Sequence, residues 1–176
     1  DWNTGCVTPN AAPAIKTSPG DGPRQFVFDR SGKFLYLVTE LSNTVRAYAY
    51  DSETGKATFL QTLPTLPNEC VSDTIAACIK LHPNGAFLYA SNRGHDSIAR
   101  YRVHKDGALT PLGIQKAGGK TPRDFNITPD GAFLLSGFQD SNELILYRID
   151  PLNGQLSEIE RTPCNSATAV LFADYE

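Results

Sequence analysis

An all-β architecture built from repeated four-stranded antiparallel sheets, the β-propeller, is the fold this sequence predicts, on three observations. The chain repeats itself at spacings of 53 and then 46 residues. Within each repeat, apolar and polar residues alternate in short runs bounded by glycine-containing turns. No stretch carries the apolar period and caps of an amphipathic helix, so helices are incidental at most. Four strands in a repeat of about 45 residues is the arithmetic of one propeller blade, whereas tandem β-sandwiches need roughly 100 residues per domain.

The elements come in a fixed order. With Gly32, Gly85 and Gly131 aligned, Phe34, Phe87 and Phe133 stand two residues later, followed by Leu35, Leu88 and Leu134. Phe26, Ile79 and Phe125 precede the glycine by six residues, and Phe28, Leu81 and Ile127 by four. This is the period-two alternation of a half-buried strand, placed at 24–28 in the first repeat. A turn such as Asp29-Arg30-Ser31-Gly32 or Pro129-Asp130-Gly131 comes next, its glycine able to take the positive φ of a tight hairpin. The Phe-Leu pair opens a second strand. A polar connection (Ser42-Asn43, His95-Asp96, Ser141-Asn142) leads to the third strand at 45–50, 98–103 and 144–149. There Val45, Ile98 and Leu144, and then Tyr48, Tyr101 and Tyr147, recur at fixed offsets. A further turn holding Gly55, Gly107 or Gly154 precedes a fourth strand that opens at Ala57-Thr58, Leu109-Thr110 or Leu156-Ser157.

The repeats divide the chain into blades at 22–75, 76–121 and 122–162, with a broken blade at each end. Asn3-Thr4-Gly5-Cys6-Val7-Thr8 matches Glu53-Thr54-Gly55-Lys56-Ala57-Thr58, so 1–21 is expected to supply the outer strand of a preceding blade and a linker. Ala167-Thr168-Ala169-Val170-Leu171-Phe172 suits an inner strand, so 163–176 is expected to open a closing blade. Propellers close with about four to eight blades. Three blades and two fragments leave sheet edges open, which is an aggregation liability. The expectation is the C-terminal part of a longer, seven-bladed propeller. The remaining blades would lie in the same protein or come from a second chain, and two copies closing one ring would suit a chain of about half that length. Residue 1 is Asp1 and no methionine occurs, as in a processed or cut chain.

Composition narrows the partners. Sixteen Lys and Arg against nineteen Asp and Glu give a net charge of −3, with no basic cluster, so nucleic acid is not an expected partner. No apolar run exceeds five residues, as at 34–38, so no segment can span a bilayer or serve as a signal-peptide core, and no membrane partner is expected. Cys6, Cys70, Cys78 and Cys164 show no CxxC spacing and do not decide the redox compartment; Cys70 and Cys78 are near enough in the chain for a loop disulfide. A cytoplasmic location is the expectation.

Positions that agree in every copy build the blade, whereas positions that differ in polar chemistry are candidates for a site. Eight residues before the glycine stand Arg24, Ala77 and Arg123; eight after it stand Glu40, Arg93 and Gln139. In a propeller both offsets lie at the mouth of the axial channel, so Arg24, Glu40, Arg93 and Arg123 are expected to converge from three blades. A carboxylate among guanidinium groups suits an anionic substrate and one proton transfer. The bland alternative is a set of blade-to-blade salt bridges on a solvated rim. Gln25, Asn92 and Asp124, with Ser91, flank these places as candidate hydrogen-bond partners and substrate-binding residues. Other signals are weaker. His82, His95 and His104 make no metal-ligand spacing, the Asn126-Ile127-Thr128 sequon falls on an inner strand, and Gly118-Gly119 lacks the helix of a phosphate loop. No GxSxG occurs. The long connection 63–74, with Pro64, Pro67 and Cys70, is an insertion able to lid one end of the channel.

Gly22-Pro23-Arg24-Gln25, Thr39-Glu40-Leu41, Ala76-Ala77, Ser91-Asn92-Arg93 and Pro122-Arg123-Asp124-Phe125-Asn126-Ile127-Thr128-Pro129-Asp130-Gly131 resemble, in order, the C-terminal half of the seven-bladed-propeller lactonases. That family includes the propeller type of 6-phosphogluconolactonase and the fungal carboxymuconate cyclase. The resemblance implies opening or closure of a small anionic sugar or muconate lactone without metal or organic cofactor. It matches Arg24, Glu40 and Arg93 to the family's site residues; the leading expectation is then Glu40 as general acid or base, Arg24 and Arg93 as substrate-binding and oxyanion-stabilising groups, and Arg123 as an assistant at the rim. Gln25 stands where the family usually has His, Thr39 where it has Asn, and Cys78 where Asp is common. Gln does not exchange protons as His does. A non-catalytic binding propeller, or an inactive fragment of the enzyme, is the competing expectation.

Overall fold

The structure, a computed structural model, describes residues 3–9, 14–70 and 73–173. The parts of the expected flanking blades and of the long connection that fall on 1–2, 10–13, 71–72 and 174–176 lie outside the described residues.

Twelve strands, and no helix among the described residues, form three four-stranded antiparallel sheets. The first contains β1 (Pro23–Phe28), β2 (Phe34–Thr39), β3 (Thr44–Tyr50) and β4 (Ala57–Pro64). The second contains β5 (Ile75–Leu81), β6 (Phe87–Arg93), β7 (Ser97–Val103) and β8 (Leu109–Lys116). The third contains β9 (Pro122–Ile127), β10 (Phe133–Phe138), β11 (Glu143–Ile149) and β12 (Leu156–Pro163). Each sheet is a meander in chain order. The repeated Asn43, Asp96 and Asn142 occupy the left-handed region at φ 51°, 51° and 55°, between the second and third strands of their sheets. Only Asn, Asp and Gly visit that region readily, which explains why this offset carries no other residue type.

The inner strands β1, β5 and β9 lie side by side. One apolar cluster, including Tyr36, Val38, Ile79 and Tyr101, fills the space between the first and second sheets; another, including Tyr89, Phe125 and Phe138, fills that between the second and third. Each such side chain contributes about 1.5–3 kcal/mol by its removal from water. Polar groups then fix the spacing. The Tyr36 and Tyr89 hydroxyls donate to the carbonyls of Gly107 (3.2 Å) and Gly154 (2.8 Å) in the next sheet. Gln61 donates to the Leu109 carbonyl at 3.0 Å and accepts from its N–H at 2.7 Å, and Gln115 exchanges the same two bonds with Leu156.

The expected flanking strands are not formed among the described residues. Asn3 to Thr8 make a turn followed by backbone outside any strand; Gly5 keeps φ +68°, close to the +71° of Gly55, but Cys6 to Thr8 join no sheet. The 167–172 segment forms no ladder either. It lies along β9 through discrete bonds: the Val170 N–H donates to Asp124 Oδ2 at 2.8 Å, and Asn126 Nδ2 donates to the Val170 carbonyl at 3.3 Å. Among the described residues, one face of the first sheet is only partly covered: Leu35, Leu37 and Tyr48 on it are buried, but its inner strand is not. Phe26 is 61% exposed, whereas Ile79 and Phe125, at the same repeat position, are 2% and 0% exposed. Phe26, Phe28 and Tyr50 stack on one another there. A groove of about 820 Å³ runs along this sheet between Val7, Ile15, Tyr48 and Phe59.

Candidate active site

The geometry of the site begins with three bulges. In β1, Pro23 faces Thr39 and Gln25 faces Val38, which leaves Arg24 as the extra residue. In β9, Pro122 faces Phe138 and Asp124 faces Gly137, which leaves Arg123. In β5, Ala76 faces Asn92 and Ile79 faces Ala90, so Ala77 and Cys78 together oppose Ser91. A bulge re-aims the side chain of the extra residue out of the ladder. The repeat offset therefore marks the place in each blade where a side chain is freed to reach a neighbour.

Arg24 uses that freedom. Its Nη1 crosses to the second sheet and donates to the Ala77 carbonyl at 2.6 Å, where the small alanine leaves room. Its Nε lies 3.8 Å from Glu40 Oε2. Arg93, at the end of β6, donates through Nη2 to Glu40 Oε1 and to the Ala76 carbonyl at 3.1 Å. Glu40 is itself fixed by its backbone, since its N–H donates to the Gly22 carbonyl and its carbonyl accepts from the Ala76 N–H at 3.0 Å. One carboxylate is thus held between two guanidinium groups from adjacent blades. The Glu40 side chain is 30% exposed against 19% for Arg24 and 11% for Arg93, so the carboxylate is the most accessible member. A groove of about 320 Å³ runs between β1 and β5 and touches the cluster at Arg24 alone, its other lining residues being Gln25, Phe26, Val27, Ile79 and Lys80. The larger groove, between residues 7–16 and the first sheet, holds none of these charged groups.

The other candidates separate. Arg123 is not in contact with the cluster; its Nη1 donates to Gln139 Oε1 at 3.0 Å, repeating the Arg24 and Glu40 pairing one charge short. Asn92 is a structural residue. It is fully buried, accepts from Thr65 Oγ1 (2.6 Å), and donates to the Thr65 carbonyl (2.8 Å) and Ser97 Oγ (3.0 Å), so it pins the long connection to the second sheet. Gln25 Oε1 accepts from the Ile79 N–H at 3.4 Å, a link between inner strands. Asp124 holds Val170 through Oδ2, while its Oδ1 is buried without a hydrogen-bond partner. Cys78 is a thiol, not half of a disulfide, and burial together with the Asp124 charge pushes its pKa far up. It is no nucleophile. His82 joins two blades, with Nδ1 accepting from Asn84 N–H (3.1 Å) and Nε2 facing the Gly131 carbonyl (2.8 Å). Among the described residues, no three His, Cys, Asp or Glu side chains gather as metal ligands. The backbone carbonyls of Ala76 and Ala77, which hold both arginines, escaped the sequence reading. Their only trace there is the small residue at 77 where the neighbouring repeats carry Arg.

This fold is that of a propeller lactonase. Residues 2–172 match the family model described as lactonase, 7-bladed beta-propeller, and the chain belongs to that family. Similar curated proteins include a 6-phosphogluconolactonase of Formosa agariphila, 42% identical over 151 residues, covering 84% of this chain and 42% of that protein. A 6-phosphogluconolactonase of Serratia proteamaculans is 35% identical over 159 residues, covering 90% and 48%. Among solved structures, the periplasmic gluconolactonase of Pseudomonas aeruginosa superposes with a TM-score of 0.82 at 32% identity, over 86% of this chain and 42% of that one. The chain spans less than half the length of the curated relatives it matches.

Proposed function

We propose that the protein acts on a small anionic sugar lactone in the cleft beside Glu40, as a 6-phosphogluconolactonase-like hydrolase that needs no metal. The observation that carries this reading is the Glu40 carboxylate bracketed by Arg24 and Arg93 from adjacent blades. In hydrolysis, a water oxygen adds to the lactone carbonyl carbon while Glu40 takes its proton. The carbonyl oxygen becomes an oxyanion, which the two guanidinium groups stabilise. The ring C–O bond then breaks, and Glu40 returns the proton to the leaving alkoxide, which gives the open hydroxy acid. Arg24 and Arg93 are suited to this because bulge geometry and backbone carbonyls fix them before substrate arrives. The same groups run in reverse would close a lactone, as in the cyclase branch of the family.

The remaining blades of the ring, in the same protein or a second chain, would complete the cleft. A binding propeller without turnover is the second reading, and Gln25 favours it: its amide is engaged with the Ile79 backbone and cannot shuttle protons. The test is turnover of 6-phosphogluconolactone by the full-length protein and its Glu40→Gln variant. The variant is expected to lose about 100-fold or more in kcat/KM. Equal rates would remove Glu40 from the chemistry, and binding without turnover by the wild type would establish the second reading.

A further inference from the structure

Two seams join the described blades, and both are fastened by the same three devices. The earlier blade sends a tyrosine from its second strand to the carbonyl of a turn glycine in the later one, Tyr36 to Gly107 and Tyr89 to Gly154. It also sends a glutamine from its fourth strand to both backbone groups of the residue two places past that glycine, Gln61 to Leu109 and Gln115 to Leu156. The later blade answers from its third strand. The Tyr101 hydroxyl donates to the Pro64 carbonyl at 2.7 Å, and the Tyr147 hydroxyl to the Ala117 carbonyl, each at or just past the end of the earlier blade's fourth strand. The first sheet carries the later blade's half of this set. Tyr48 occupies the repeat position of Tyr101 and Tyr147. It is 3% exposed, and its hydroxyl is buried with no hydrogen-bond partner among the described residues. Gly55 and Ala57 repeat Gly107 with Leu109 and Gly154 with Leu156, and together with Tyr48 they line the groove of about 820 Å³ on this sheet.

A buried hydroxyl without a partner is costly, so Tyr48 calls for a carbonyl from outside these residues. A second copy of the chain could offer only its third blade, because the first and second engage their tyrosine and glutamine within the chain. The third blade lacks the matching groups. Leu135 faces Leu146 where Tyr36 faces Ala47 and Tyr89 faces Arg100. Glu160 faces Leu146 where Gln61 faces Ala47, and Thr162 faces Leu144 where Gln115 faces Ile98. Leucine gives a carbonyl nothing. An ionised glutamate accepts from an N–H without donating to the carbonyl beside it, and threonine has one hydroxyl in place of an amide's separate donor and acceptor. We infer that the groove on the first sheet seats a propeller blade other than these three, one that presents a tyrosine on its second strand, a glutamine on its fourth, and a free carbonyl where that strand ends. The tyrosine meets Gly55, the glutamine meets Ala57, and the carbonyl receives the Tyr48 hydroxyl.

The experiment measures urea unfolding of the full-length protein and of the 176-residue chain, each as wild type, Tyr48→Phe and Tyr101→Phe, with sedimentation of the 176-residue chain alongside. Tyr101→Phe breaks a bond whose acceptor lies within the chain, and is expected to lower the folding equilibrium constant of both forms by about fivefold or more. Tyr48→Phe is expected to match that loss in the full-length protein and to cost the 176-residue chain nothing, because there it removes only an unsatisfied group. An equal response to Tyr48→Phe in the two forms overturns the inference. So does a 176-residue chain that forms a closed dimer weakened by Tyr48→Phe, since the third blade of a second copy would then fill the groove. Open-ended association indifferent to Tyr48→Phe supports it. Should the 176-residue chain not fold, the full-length protein decides by itself: a Tyr48→Phe loss equal to that of Tyr101→Phe supports the seated blade, and no loss overturns it.

Discussion

Single residues in this molecule owe their roles to what the next blade offers them. Ala77 has no side chain beyond Cβ, and that lets Arg24 reach across to its carbonyl at 2.6 Å. His95 depends instead on its own blade for its electrostatics. Its Nδ1 shares a 2.8 Å hydrogen bond with Ser97 Oγ, and its carbonyl accepts from the Lys116 ammonium at 2.8 Å. Burial first, and then the Lys116 charge, hold its imidazole below the ordinary histidine range, with Asp96 pulling the other way. An unfolded chain takes up the proton near about pH 6.5, before the folded one does. Stability is therefore lost as pH falls below that point, and the loss is complete once the folded pKa has been passed. An NMR titration is expected to place the His95 midpoint below that of a histidine peptide, and Lys116→Gln is expected to raise it. A midpoint at or above the peptide value would refute the account.

At the scale of the strand and turn, two glycines of similar φ, one from each hairpin turn of the repeat, behave differently. Gly32 has φ +69° with open space where a Cβ would stand, whereas at Gly107, with φ +81°, a Cβ would lie 2.2 Å from the Phe34 ring. Gly32→Ala is expected to cost only the conformational penalty, about 1–2 kcal/mol. Gly107→Ala adds overpacking against the first sheet and is expected to exceed it by at least about 1 kcal/mol. Urea denaturation of the pair measures the difference, and equal costs would show that the blades are not tightly apposed at this turn.

The strands themselves were readable from the sequence because their signals are local: period-two alternation, turn glycines, and the Asn or Asp that tolerates φ near 51°. The meeting of Arg24, Glu40 and Arg93 was also readable, since equal repeat offsets place residues at equal heights on neighbouring blades. The roles of Asn92 and Gln25 were not. Whether an amide faces substrate or a neighbouring backbone is decided by the long connection folding back through Thr65, and by the register between β1 and β5. Neither leaves a periodic trace. The same holds for 167–172, whose apolar run reads as a strand but which finds only side-chain partners on β9.

For the 176-residue chain by itself, the partly exposed face of the first sheet governs association. Phe26 and Phe28 are 61% and 38% exposed, whereas Ile79, Phe125 and Ile127 at the same offsets are packed, and Phe59 is 54% exposed beside them. Contiguous apolar surface of this kind promotes association. The 176-residue chain by itself is expected to associate with rising concentration in sedimentation experiments, and Phe26→Asp to reduce that association. A chain that stays monomeric at all concentrations would show that this face is content in water.

The paired amide bonds of Gln61 and Gln115 matter beyond the stability they add. Each side chain stands in for a missing peptide group, so the hydrogen-bonded fabric runs on from one sheet to the next instead of stopping at an oily seam. Splaying two blades apart must break directional bonds as well as part greasy surfaces, which makes the stack stiff against hinging. That rigidity holds the reach between the guanidinium arms of neighbouring blades to within the play of a few tenths of an ångström that a hydrogen bond allows.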